Sequence, residues 1–184
     1  MSERAPSRMT TDEFIEWAMN RPEGEKYELY RGEIVQMAPE RSLHSEVKAR
    51  FVQRILNSVD ASHLPCQVFS DSMAVEVDKE TIYEPDVVLR CGPRLPPNTT
   101  KLTDPLVVIE VLSLSTRNRD LTEKLSDYLR MASLRHYLVV NAERKTVIHH
   151  ERAPSGTIVT HIRIDQPIHL DPPGIEIADF FPKD

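Results

Sequence analysis

Tyr83-Glu84-Pro85-Asp86-Val87-Val88-Leu89 and Pro105-Leu106-Val107-Val108-Ile109-Glu110-Val111-Leu112-Ser113 decide how this chain is read. Each is an apolar, β-branched run of strand length, and each carries one acid where a buried strand should carry none. Asp86 follows a proline at the head of the first run, and Glu110 interrupts the second. A lone carboxylate in such surroundings costs several kcal/mol, roughly, unless a cation or hydrogen bonds compensate it. Two acids on adjacent strands can share one hard cation, which removes that cost for both.

Working outward, the Glu110 run is followed by an amphipathic stretch with Leu121, Leu125, Tyr128, Leu129 and Ala132 on one stripe. His136-Tyr137-Leu138-Val139-Val140 then reads as a buried strand, which makes a βαβ unit. Upstream, His44, Val47, Phe51, Ile55 and Val59 share one face of a helix over about 42–59. Before it, Tyr27 to Tyr30 and Glu33 to Met37 flank Arg31-Gly32 as a hairpin. Thr10 and Glu13 form a capping box that starts a short helix carrying Phe14, Trp17 and Ala18. Cys66 to Phe69 and Met73 to Val77 read as strands, and 145–151 with 157–164 as a closing hairpin. The apolar tail from Ile175 to Phe181 is expected to dock as an edge segment. The expected fold is α/β: a mixed central sheet flanked by helices, with an N-terminal helix and β-hairpin. Residues 1–8 are expected to be a disordered lead-in, and 9–184 one domain.

The net charge of −6 argues against a surface coated in basic residues for nonspecific nucleic-acid binding, though it leaves room for a local basic face. Arg117, Arg119, Lys48 and Arg54 are the candidates for one. Cys66 and Cys91 lie far apart without metal-type spacing and are expected to be reduced thiols. The polar N-terminus and the lack of any span-length apolar run point to a cytoplasmic protein with no membrane partner.

Asp86 and Glu110 together favour Mg²⁺ or Mn²⁺, which prefer oxygen ligands, and the Val111 carbonyl can complete the set. Lys124 borders the apolar stripe of the helix that follows, where its ammonium can reach a substrate phosphate. Blander readings stand beside these. Asp86 can be a strand-start acid paired with an arginine, Glu110 half of a buried ion pair with a helix cation, and Lys124 an i,i+4 partner of Asp120.

Asp86 behind Pro85, with Glu110 on the next strand, resembles the PD-(D/E)xK nuclease signature, although Leu112 stands where its lysine is expected. The stretches 27–33, 84–88, 108–113 and 120–125, in order and at compatible spacing, resemble the Uma-two family of restriction-endonuclease-like proteins. The resemblance runs from about Met9 to Pro182. It implies a restriction-endonuclease-like fold, Asp86 and Glu110 as metal ligands, and a catalytic lysine that has migrated onto the following helix as Lys124. His44, Glu28 and Glu33 match further family positions, His44 and Glu33 being carried as catalytic candidates. Leu114 and Asn141 depart from the usual proline and aspartate of the family.

The resulting expectation is a Mg²⁺- or Mn²⁺-dependent endonuclease acting on DNA more than on RNA, in which Lys124 orients the nucleophile or stabilises charge on the phosphate. The alternative is a non-catalytic binding or assembly module that keeps the fold, which the acidic balance and the lack of a DNA-reading motif favour. A homodimer or larger homo-oligomer is expected from the apolar closing hairpin and the Phe180-Phe181 tail.

Overall fold

The computed structural model describes residues 8–22, 24–71, 73–113, 122–164 and 166–183. The expected lead-in, apart from Arg8, and Arg117, Arg119, Asp120 and Leu114 fall outside them. The chain runs α1 (Thr11–Ala18), β1 (Tyr27–Tyr30), β2 (Glu33–Gln36), α2 (Ser42–Ala61), β3 (Cys66–Ser70), β4 (Ala74–Asp78), β5 (Thr81–Tyr83) and β6 (Val87–Cys91). It continues through β7 (Lys101–Leu102), β8 (Val107–Val111), α3 (Glu123–Arg130), β9 (His136–Asn141), β10 (Thr146–Arg152), β11 (Ile158–Ile164), β12 (Ile168–Leu170) and β13 (Ile175–Ile177).

The central sheet is six-stranded, in the order β11-β10-β9-β8-β6-β3. Only β8 and β9 are parallel, as the βαβ reading requires, so the sheet is mixed. Its pleat sorts side chains by parity. Val87, Leu89, Val107, Ile109, Leu138 and Val140 face α2 and the small β12–β13 hairpin. Val88, Val108, Tyr137 and Val139 face the opposite way, towards Tyr128 of α3 and a second sheet.

That second sheet, β2-β1-β5-β4-β7, was not foreseen as a sheet. It absorbs the N-terminal hairpin, whose turn has Arg31 and Gly32 at φ 50° and 79°, the left-handed pair that two-residue hairpins need. Val75 and Tyr83 point from it towards the central sheet. Ala74, Leu29 and Ile82 point outward to Phe14 of α1, whose capping box at Thr10 and Glu13 is formed. The run 83–89 is therefore not one strand. Tyr83 ends β5 in one sheet, Val87 begins β6 in the other, and Glu84-Pro85-Asp86 is the crossover.

One expectation is corrected here and another is extended. Cys66 and Cys91 form the first cross-strand pair of β3 and β6, 3.9 Å apart at Cα, and are joined as a disulfide; sequence distance hid their register. The tail, expected to dock as an edge segment, goes further inward: β13 pairs with β12, and Phe180 and Phe181 are buried in the core under α2, Phe180 stacking on Phe51.

Candidate metal and nucleic-acid site

The two sheets meet in a seam, and the charged groups collect there. On β6 and β8, Val87 opposes Ile109 and Val88 opposes Val108. Continuing that antiparallel register by one residue sets Asp86 opposite Glu110, on the seam face of the pleat. Like charges directly opposite on adjacent strands are destabilising unless something lies between or beside them. Both acids line one small cavity of about 30 Å³ together with His44, Glu40, Lys26 and Ser113.

Asp86 is fixed at both oxygens. Its Oδ2 accepts from the Val111 backbone N–H at 2.6 Å, and its Oδ1 lies 2.9 Å from His44 Nε2. A carboxylate can only accept, so Nε2 carries the proton. His44 Nδ1 is then a buried acceptor with no hydrogen-bond partner among the described residues. His44 occupies the first turn of α2 on the stripe of Val47 and Phe51, which aims it at the crossover.

Glu110 is held from the other side. Lys124 Nζ donates to its Oε1 at 2.9 Å and the Tyr128 hydroxyl reaches the same oxygen at 3.2 Å; both come from one face of α3. Lys124 is fully buried, and its ammonium also lies 2.8 Å from Glu28 Oε1. Glu28 points into the seam because its neighbour Leu29 faces α1. It also accepts the Glu84 backbone N–H at 3.2 Å. Tyr83 donates to Asp127 at 2.6 Å, which ties α3 to β5. Burial, reinforced by Asp127, holds the Tyr83 phenol far above its ordinary range. Burial and Glu110 do the same to Tyr128, so both hydroxyls act as donors.

A second lysine cluster lies beside Asp86. Lys48 is buried, contacting Glu40 at 2.6 Å and Asp71 at 2.8 Å, with Asp86 at 3.8 Å. Lys26 meets Asp71 at 2.8 Å and Glu40 at 3.3 Å. Burial opposes the charge on Lys26, but Asp71 and Glu40 outweigh it and raise its pKa. Glu84, in contrast, is pushed up to about 6 by burial. Six carboxylates (Glu28, Glu40, Asp71, Glu84, Asp86, Glu110) thus meet three ammonium groups (Lys26, Lys48, Lys124), so acids outnumber cations. An oxygen-rich, carboxylate-dominated donor set of this kind suits Mg²⁺ or Mn²⁺. Glu40, His44 and Asp86 also present donor atoms within 4.8 Å of one another.

The structure brings Asp86, Glu110, Lys124 and His44 together, with Val111 beside them. It leaves Glu33 exposed at the hairpin turn opposite Tyr30, and Glu28 takes the inward position. Lys48 is not a surface phosphate contact but an internal counter-ion, and Arg54 reaches the Asp179 carbonyl instead. Lys48, Glu40, Asp71 and Tyr128 escaped sequence reasoning as site residues. Lys48 alone left a signal, since it directly follows the stripe residue Val47.

The six-stranded mixed sheet with helices on both faces and paired acids at its seam is the architecture of the restriction-endonuclease-like fold. The chain belongs to the Uma2 family, described as "Putative restriction endonuclease", whose family model matches residues 11–178. It is 24% identical over 173 residues to an uncharacterized protein of Synechocystis sp., slr1290, covering 93% of this chain and 89% of that one. Its fold is similar to the crystal structure of a "putative nuclease belonging to DUF820" from Anabaena variabilis. That match has a TM-score of 0.75 and 18% identity, and covers 94% of this chain and 97% of the other.

Proposed function

We propose that this chain is a metal-dependent endonuclease that hydrolyses phosphodiester bonds in DNA, with Asp86, Glu110 and the Val111 carbonyl holding Mg²⁺ or Mn²⁺. The observation that carries it is that Asp86 and Glu110 line one cavity, with Lys124 buried against Glu110. When bound, such a cation supplies charge neutralisation at the scissile phosphate and activation of the attacking oxygen.

The chain's own residues do the positioning. His44 and the Val111 N–H orient Asp86, and Tyr128 and Lys124 orient Glu110. Lys124, held against Glu110, is the group assigned to stabilise the charge that builds on the phosphate. A groove of about 250 Å³ opens beside the acids, sharing Ala38, Pro39, His44 and Ser113 with the smaller cavity, and offers the nucleotide strand a place to lie. The unit acts as one domain over 9–184, in the cytoplasm and as a homodimer. Among the described residues no helix is long and apolar enough to cross a membrane.

Nicking of supercoiled plasmid in Mg²⁺ or Mn²⁺ tests this. Asp86→Asn and Glu110→Gln are expected to abolish nicking while circular dichroism stays native. Nicking that survives chelator, or that both variants retain, defeats the proposal. One observation favours the alternative, a binding module: Lys124 has no exposed surface and is clamped between Glu28 and Glu110. DNA binding without cleavage in any divalent ion would select that reading.

A further inference from the structure

The opposite face of the central sheet, the one packed against α2 and the β12–β13 hairpin, carries a second set of metal-type donors. His136 on β9 opposes Glu151 on β10, and His149 on β10 opposes His161 on β11. These four alternate with Leu138 and Val147 of the core beneath α2, so none of them shares the seam with Asp86 and Glu110.

Proton positions follow from the contacts. His136 Nε2 lies 3.0 Å from the Pro172 carbonyl oxygen, in the turn between β12 and β13. That oxygen can only accept, so Nε2 carries the proton and Nδ1 presents a lone pair. This is the arrangement that fixes a ligating imidazole from behind. His136 Nδ1 is 2.9 Å from His149 Nε2, which must donate to it in the metal-free protein. His149 Nδ1 is then a buried acceptor without a partner, on a side chain with no exposed surface. One donor atom each from His136, His149 and Glu151 lies within 4.8 Å of the others. His161 Nε2 is 3.6 Å from Glu151 Oε2. Those two side chains are 40% and 32% exposed, which gives an ion a way in from solvent.

We propose that His136, His149 and Glu151, with His161 as fourth donor, form a site for a divalent transition metal of the zinc class. Two imidazoles and one carboxylate are an established zinc donor set, and imidazole-rich sites reject Mg²⁺. With His161 drawn in beside Glu151 as the fourth donor, the set would close around the ion and make it a tie. It fastens β9, β10 and β11 to one another and, through His136, to the turn at Pro172. Arg163, on the same face of β11, opposes a cation and limits the affinity. The site stands independently of the nuclease reading.

The test uses full-length Asp86→Asn protein, stripped with chelator, so that the acidic seam is disarmed. Zn²⁺ alone is titrated in competition with a chromophoric chelator, and melting is followed with and without it. One tight equivalent is expected, with a raised melting temperature. Adding Glu151→Gln, a half-exposed isostere that does not threaten folding, should weaken binding by about tenfold or more and remove the melting shift. Absence of a tight equivalent in Asp86→Asn overturns the site. So does equal zinc affinity with and without Glu151→Gln.

Discussion

Lys124 has no exposed surface, and Glu28 and Glu110 hold its ammonium at 2.8 and 2.9 Å. Removing its ammonium leaves Glu28 and Glu110 as buried like charges. Lys124→Met, which keeps the volume, should cost about 3–5 kcal/mol of apo stability, the scale of breaking a buried pair. It should also cut cleavage by about 100-fold. Urea melts and single-turnover plasmid assays on one preparation check both numbers, and a variant that cleaves normally removes Lys124 from the mechanism.

Glu84 gives the residue scale its pH dependence. Its pKa is near 4.5 unfolded and about 6 folded, so between these values the folded chain binds the extra proton. Stability from this group is therefore greatest below about pH 4.5 and falls as pH rises through 6, by about 2 kcal/mol in total. In chelator, Glu84→Gln should stabilise the protein at pH 8 and lose that advantage by pH 4.5. Equal gains at both pH values would mean that Glu84 is not desolvated as described.

At the scale of elements, the tail behaves as core. Phe180 and Phe181 are only 2% and 4% exposed, and Phe180 lies 4.6 Å from Phe51 between ring centroids. Phe180→Ala should cost about 3–5 kcal/mol, readable as a fall in the urea midpoint at unchanged slope; a shift within error would place the tail outside the core. The elements legible in sequence were those whose signal is local. The Thr10 capping box, the α2 stripe and the acid inside β8 need no partner to be seen. What escaped depends on register between distant segments. Nothing local tells that β5 and β6 part company at Pro85, or that Cys66 will face Cys91. Glu28 and Glu33 lie on the same face of one hairpin, and only the second layer, with Lys124 above it, decides which is buried. Lys48 looks like any helix lysine until Glu40 and Asp71 converge on it.

Across the whole molecule, the homodimer loses one of its motives and keeps another. Phe180 and Phe181 are satisfied within the chain. Ile162 and Ile164, at 71% and 67% exposed, stand on β11, the edge strand of the central sheet. An unprotected apolar edge favours pairing with a second copy. Light scattering at micromolar concentration should give twice 21.1 kDa, and Ile162→Lys with Ile164→Lys should return it to one chain. A wild-type mass near that of one chain disposes of the dimer.

The crossover at Glu84-Pro85-Asp86 makes the site a gauge of alignment. Asp86 and Glu110 are carried by one sheet, Glu28 by the other, and Lys124 by a helix pinned to both through Tyr83 and Tyr128. A slip between layers of an ångström, too small to disturb either sheet's own hydrogen bonds, draws the lysine off the acids. Catalysis will then fail as a misfit before the protein fails as a fold. In rising urea, cleavage should fade at concentrations where far-ultraviolet dichroism is still native, and coincident curves would show that the two layers move only as one.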